Sequence, residues 1–349
     1  MKKILALTLA LAMSLSLAAC SSSDTSTTTE STTTETATTE TATTETTTEK
    51  TYKIAMICDS SINDGGWGAA CYTAMVNAAE SLGWEHQYTD SIAQSDYVDS
   101  MLSYCDLGYD MIFLPGNQYT DATIQVAADY PDTCFTLLNG AEDVPTDNIT
   151  SLLPNADQIG YLAGAMAGLM TESNVLGFIG GMEIDTTKQK LAGMEAGAQA
   201  INPDITVLSA YAGSYSDTAK GMELANGMIS EGADVFFGDA SSVDSGARQA
   251  IDQVNDANGA ITIYDIGQPA DILGQNPCVI TSVVTDNSGM LRVAMEAMMA
   301  GTFGNEVVYG TLENGCLSVG AINDELVSAE AQEAFYALVD EIAAGTFPA

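Results

Sequence analysis

Trp67, Tyr119 and Tyr215 fall in short segments rich in Asp and Asn, together with Asp59, Asn63, Asp64, Asn117, Asp121, Asp239 and Asp265. Rings of this kind stack on flat apolar faces, contributing about 0.5–1.5 kcal/mol per well-placed pair beyond the area they bury. Carboxylates accept paired hydrogen bonds from hydroxyls or ring N–H groups. No lysine or arginine stands in these segments, so they suit a flat, neutral ligand that carries hydroxyls or N–H groups. Core packing explains each aromatic equally well, and helix capping explains each Asp or Asn.

Little else in the chain could do chemistry. The single histidine, His86, sits in an alternating strand-like run with polar neighbours, so a nucleophile, histidine and acid arrangement has no natural place. Asp59 and Asp64 could act as an acid and base pair, but capping or ligand hydrogen bonding accounts for them more simply. No nucleophile elbow, phosphate loop, HExxH or GxGxxG pattern occurs. No catalytic residue, metal or cofactor is therefore expected. Beyond Cys20 the cysteines are Cys58, Cys71, Cys105, Cys134, Cys278 and Cys316, with no CxxC pair. Most lie in apolar stretches, which favours buried free thiols.

The elements that must hold the site alternate as strand and helix. Apolar runs at 52–58, 85–88, 110–114, 134–138 and 149–153 alternate with helical patterns at 66–82, 94–106 and 119–130. The alternation resumes with a helix at 155–170 and strands at 175–179, 206–208, 235–237, 261–264 and 279–284, then helices at 288–300 and 329–344. Repeated βα order means parallel sheets with right-handed crossovers. About 300 residues are too many for one core, so the expectation is an α/β chain of two doubly wound, Rossmann-like lobes joined by a multi-strand hinge. The expected division is 51–154 plus about 285–308 for lobe 1, and 155–284 plus about 309–349 for lobe 2. Ligands of open α/β sheets sit beyond the carboxyl ends of the strands, where the segments 58–67, 115–121, 180–185, 212–217, 238–244 and 265–268 fall.

The N-terminus has its own logic. Lys2 and Lys3 precede an apolar run from Ile4 to Leu17 and then Leu17-Ala18-Ala19-Cys20, the layout of a secretory signal. It resembles a bacterial lipoprotein signal, with 1–19 removed and Cys20 lipidated, and places the protein on the extracytoplasmic face of the cell membrane. Residues 20–50 are nearly all Ser, Thr, Glu and Ala, with Glu30, Glu35, Glu40 and Glu45 at a spacing of five. Such a stretch cannot bury enough surface to offset its ordering entropy, and reads as a linker of roughly 30 Å r.m.s. reach. The formal net charge of −38 makes nucleic acid a poor partner.

The segment Ser61-Ile62-Asn63-Asp64-Gly65-Gly66-Trp67-Gly68-Ala69-Ala70 resembles the first-loop signature of the basic membrane protein family, the nucleoside-binding lipoproteins of ABC importers. Further likenesses follow in order: Gly108-Tyr109-Asp110-Met111-Ile112, Tyr130-Pro131-Asp132, Gly160-Tyr161-Leu162-Ala163-Gly164, Val175 to Met182, Asn202-Pro203-Asp204 and Tyr211 to Gly221. The resemblance implies a type I periplasmic-binding-protein fold, a purine nucleoside ligand, and ABC permease and ATPase subunits as partners. It implies that Trp67 and Tyr215 sandwich the base, that Asp59 and Asp121 match the family's acidic residues after the first and third strands, and that Asp265 matches the ribose-binding aspartate. The chain departs from the pattern at Gly68, where the family has Asn, and at Thr285, where it often has Lys. A free nucleobase or a different nucleoside therefore stays open.

A surface sensor of the same fold and a secreted hydrolase are the competing readings, since fold alone separates none of them. The lipid anchor is directly testable. Neither the linker nor an acidic domain has membrane affinity of its own, so Cys20→Ala protein should leave the detergent phase and appear as soluble protein in phase partitioning. Retention with the detergent would contradict the lipoprotein reading.

Overall fold

The computed structural model describes residues 50–63 and 67–347. Cys20, the linker to Glu49 and Asp64 lie outside these residues. Along the chain come β1 (Lys53–Ile57), α1 (Trp67–Leu82), β2 (Glu85–Thr89), α2 (Tyr97–Asp106), β3 (Met111–Leu114), α3 (Thr120–Ala127), β4 (Cys134–Leu138) and β5 (Ile149–Pro154). The second half contains α4 (Ala156–Met170), β6 (Val175–Gly180), α5 (Asp185–Ile201), β7 (Thr206–Tyr211), α6 (Thr218–Ser230), β8 (Val235–Asp239), α7 (Ser242–Asn258) and β9 (Tyr264–Gly267). It continues with β10 (Val279–Thr285), α8 (Asn287–Ala300), β11 (Val308–Gly310), β12 (Leu317–Val319) and α9 (Ala329–Ala343).

Two six-stranded sheets result, ordered β11-β5-β4-β3-β1-β2 and β12-β10-β9-β8-β6-β7. All pairings are parallel except that of β12 with β10. Parallel strands covered by helices on both faces need continuous apolar runs. That is what Ile-Ala-Met-Ile in β1 and Met-Ile-Phe-Leu in β3 supply, fully buried in each case. The edge strand β2 is mostly exposed and carries His86.

The chain passes between the sheets three times, after β5, after β10 and between β11 and β12. The passages bond to one another: Asn155 N–H donates to the Gly310 carbonyl at 2.8 Å and Asp286 N–H to that of Cys316 at 2.8 Å. Gln158, only 2% exposed, donates its amide to both Glu313 carboxylate oxygens at 3.0 and 2.9 Å. Its Oε1 accepts the Leu312 N–H at 3.0 Å.

Two differences from the sequence reading matter. β11 and β12 are too short to stand out as apolar runs, yet they complete the sheets. The strand expected at 261–264 begins instead at Tyr264. The side chain of Asn255 takes the Thr262 and Ile263 N–H groups, both at 3.0 Å, and donates to the Ile263 carbonyl at 2.8 Å. Those backbone groups are thereby satisfied before the sheet starts, and Asp265 becomes a strand residue rather than a loop residue.

α4 and α5 pack almost backbone to backbone. A Cβ on Gly160 would overlap the Lys190 carbonyl, and one on Gly164 that of Met194; Gly193 and Gly197 answer against Asp157 and Tyr161. The Gly160-to-Gly164 motif therefore sets how closely α5 approaches, and α5 carries Lys190. Gly164→Ala should cost about 1–3 kcal/mol through overpacking, read as a lower urea midpoint. An unchanged midpoint would show slack between the two helices.

Candidate functional site

The carboxyl ends of both sheets open onto one cleft with two contiguous chambers, of about 310 Å³ and about 1030 Å³. Trp67, Asn139, Pro154, Lys190, Tyr215 and Asp239 line both. Sites for small organic molecules commonly fall near 300–1,000 Å³.

The two aromatics arrive from opposite sheets. Trp67 opens α1 on the first, and its Nε1–H donates to the Pro115 carbonyl at 3.0 Å. Tyr215 lies in the β7–α6 loop on the second. That loop is fixed by Ser214 N–H on the Gly181 carbonyl at 3.1 Å and by Ser242 N–H on the Tyr215 carbonyl at 3.0 Å. The Tyr215 ring lies where a Cβ on Gly181 would stand, so glycine there seats the ring. Both rings keep much of their surface free, at 38% exposure for Trp67 and 43% for Tyr215. Burial, and then the neighbouring Asp239, raise the Tyr215 phenol above its ordinary range. Tyr119 differs: it is fully buried against Tyr97, with centroids 4.2 Å apart.

Asp239, at the end of β8, accepts from Thr187 Oγ1 and Lys190 Nζ, both at 2.7 Å. Lys190 also donates to Gln268 Oε1 at 2.8 Å. Asp265 is 3% exposed and turned from the cleft; its Oδ2 accepts from Arg248 Nε at 2.6 Å. Asp265 in turn holds the Arg248 guanidinium above its ordinary range. Asn117 lines the larger chamber, with Oδ1 accepting from Thr120 at 2.9 Å. Asp59, exposed, accepts from Gln118 Nε2 at 3.0 Å and Tyr97 OH at 3.2 Å. Asp121 lines a surface hollow beside α3 that adjoins the larger chamber through Asn117, Gln118, Ala141 and Asp143. Asn63 is exposed, bonding through its N–H to Ser61 Oγ at 3.2 Å.

The two chambers thus gather Trp67, Asn117, Tyr215 and Asp239 among the expected residues, with Asp121 in the adjoining hollow and Asp59, Asn63 and Asp265 outside the lining. The expectation of no basic anchor is corrected: Lys190 and Arg248 reach the cleft from α5 and α7. Their signal was their place on the helices that follow β6 and β8, within reach of the strand ends. Asn139, Gln268, Thr285 and Asn287 complete the polar lining. Among the described residues, no group of three or more His, Cys, Asp or Glu could hold a metal ion, and none of the helices could cross a membrane.

Residues 51–343 match the family of PnrA-like ABC transporter substrate-binding proteins, Bmp. The nucleoside-binding protein BmpA of a Lactococcus lactis ABC transporter is 29% identical over 340 residues, covering 92% of each chain. A putative ABC transporter glucose-binding protein of Haloferax volcanii, TsgA13, is 29% identical over 269 residues, covering 76% of this chain and 66% of its own. Among solved structures, an ABC transporter solute-binding protein from Conexibacter woesei superposes with a TM-score of 0.66 at 21% identity, covering 85% of this chain and 98% of that one. The fold is the two-lobed, parallel-sheet α/β architecture of type I periplasmic binding proteins.

Asp244, in the first turn of α7, also borders the smaller chamber. Its Oδ2 accepts the Ala240 N–H at 2.9 Å, while its buried Oδ1 has no partner among the described residues. Burial is the main cause that pushes its carboxyl up to about 7, against the Ala240 bond that pulls it down. A carboxyl raised in the folded state binds more protons there than in the unfolded chain, so it withdraws stability as pH rises from about 4 to about 7. Asp244→Asn removes this dependence. Urea denaturation should show the variant gaining about 2 kcal/mol on wild type between pH 5 and 8; parallel pH profiles would refute the assignment.

Proposed function

The chain belongs to the Bmp family of PnrA-like ABC transporter substrate-binding proteins, and from that footing we propose that it captures a purine nucleoside, or a related nucleobase, in the inter-lobe cleft for import. Proteins of this family bind substrates and do not transform them, so the chain is not an enzyme. The observation that carries the ligand class is the pair of half-exposed rings, Trp67 and Tyr215, presented by opposite sheets to the same two chambers. A flat base between them gains stacking on both faces. The name of the Lactococcus relative agrees with this reading. Delivery would be to permease and ATPase subunits, from a membrane position held by a lipid on Cys20.

Calorimetry with nucleosides, nucleobases and glucose tests the proposal. Wild type should bind a purine compound, and Trp67→Ala and Tyr215→Ala should each weaken binding by about 2 kcal/mol or more, as loss of a buried aromatic anchor does. Binding of glucose with no response to any purine compound would overturn it, as would affinities unchanged in both variants.

A further inference from the structure

The hydrogen-bonding sense of the smaller chamber is unbalanced. Asp239 is already occupied, accepting from Thr187, Lys190 and Gln268, and Asp244 accepts the Ala240 N–H through Oδ2 while its Oδ1, packed against Gly238, is buried without a partner among the described residues. Arg248 is the reverse case. Its Nε is committed to Asp265, yet its Nη1 and Nη2 donate to no group among the described residues, and the side chain, 15% exposed, lines the chamber. A guanidinium gripped through Nε by a buried carboxylate is fixed in orientation. Its free end then presents two parallel N–H donors to the ligand.

We propose that Arg248 is the specificity-determining residue of the cleft, and that it selects flat ligands with two adjacent acceptors on one edge, which among purines means the 6-oxo class. This rests on the reading of the cleft as a purine site. The oxygen at C6 and the ring nitrogen N7 of a 6-oxopurine form such an edge and match an arginine fork, whereas a 6-aminopurine sets an N–H donor against it. Asp265 is then a positioning residue that reaches the ligand only through Arg248. Specificity of this kind is sharp because the rejected ligand leaves buried donors unpaired.

The test is calorimetry of hypoxanthine, guanine, inosine and guanosine against adenine and adenosine. Wild type should prefer the 6-oxo compounds by roughly tenfold or more. Arg248→Lys keeps the charge but not the fork, and should lose most of that preference. Removing Arg248 alone would strand a buried carboxylate, so the paired variant Arg248→Met/Asp265→Asn, which leaves no orphan charge, is the folding control. It should bind both classes with similar affinity. If purines bind wild type without a 6-oxo preference, or the paired variant retains the preference, the assignment to Arg248 is overturned while the purine site stands. If no purine base or nucleoside binds, the purine reading fails, and this inference with it.

Discussion

Three chain passages between two sheets, bonded to each other, are the constraint on which the rest of the molecule depends. Because β5, β10 and β11 all end at the hinge, the strand ends of both sheets face a common cleft. Gln158 spends its whole side chain joining the first passage to the third, through Leu312 and Glu313. A buried amide with every partner in place fixes one arrangement, since a broken bond there leaves a polar group unsatisfied. Trp67 and Tyr215 meet the same chambers only because this hinge aligns the sheets that carry them.

Much of the fold was legible in the sequence because parallel strands buried on both faces must be apolar throughout. β4 appears with the expected bounds, and β1, β3 and β5 lie within a residue of theirs. The exceptions have identifiable physics. β9 starts late because a helix side chain, Asn255, takes the backbone groups that open the expected run. β11 and β12 are three residues each, too short for periodicity to register, and are specified by the hinge they complete.

The site was legible by a different route. Position after a strand singled out Trp67, Tyr215 and Asp239, and all three line the cleft, because strand ends are where an open sheet leaves side chains free. It could not find Lys190 or Arg248, which lie several residues into helices and reach back across a turn. It also misplaced Asp265, whose role depends on the three-residue shift of β9. In a chain with nine basic residues against 47 acidic ones, two cations reach the cleft, and each is gripped by a carboxylate. Long flexible side chains pointed at an acidic surround would otherwise be drawn to many partners; a close carboxylate partner gives each a fixed direction.

Among the described residues Cys105, Cys134, Cys278 and Cys316 are free thiols, and all but Cys134 are buried. Burial is the first cause that raises the Cys105 and Cys316 thiols to about 11 and Cys134 to about 12, so the reactive thiolate is scarce once the sheets have formed. The protection belongs to the finished structure and not to the chain. In a protein that matures outside the cytoplasm, collapse competes with oxidation, and the same apolar strands that drive collapse also cover these sulfurs.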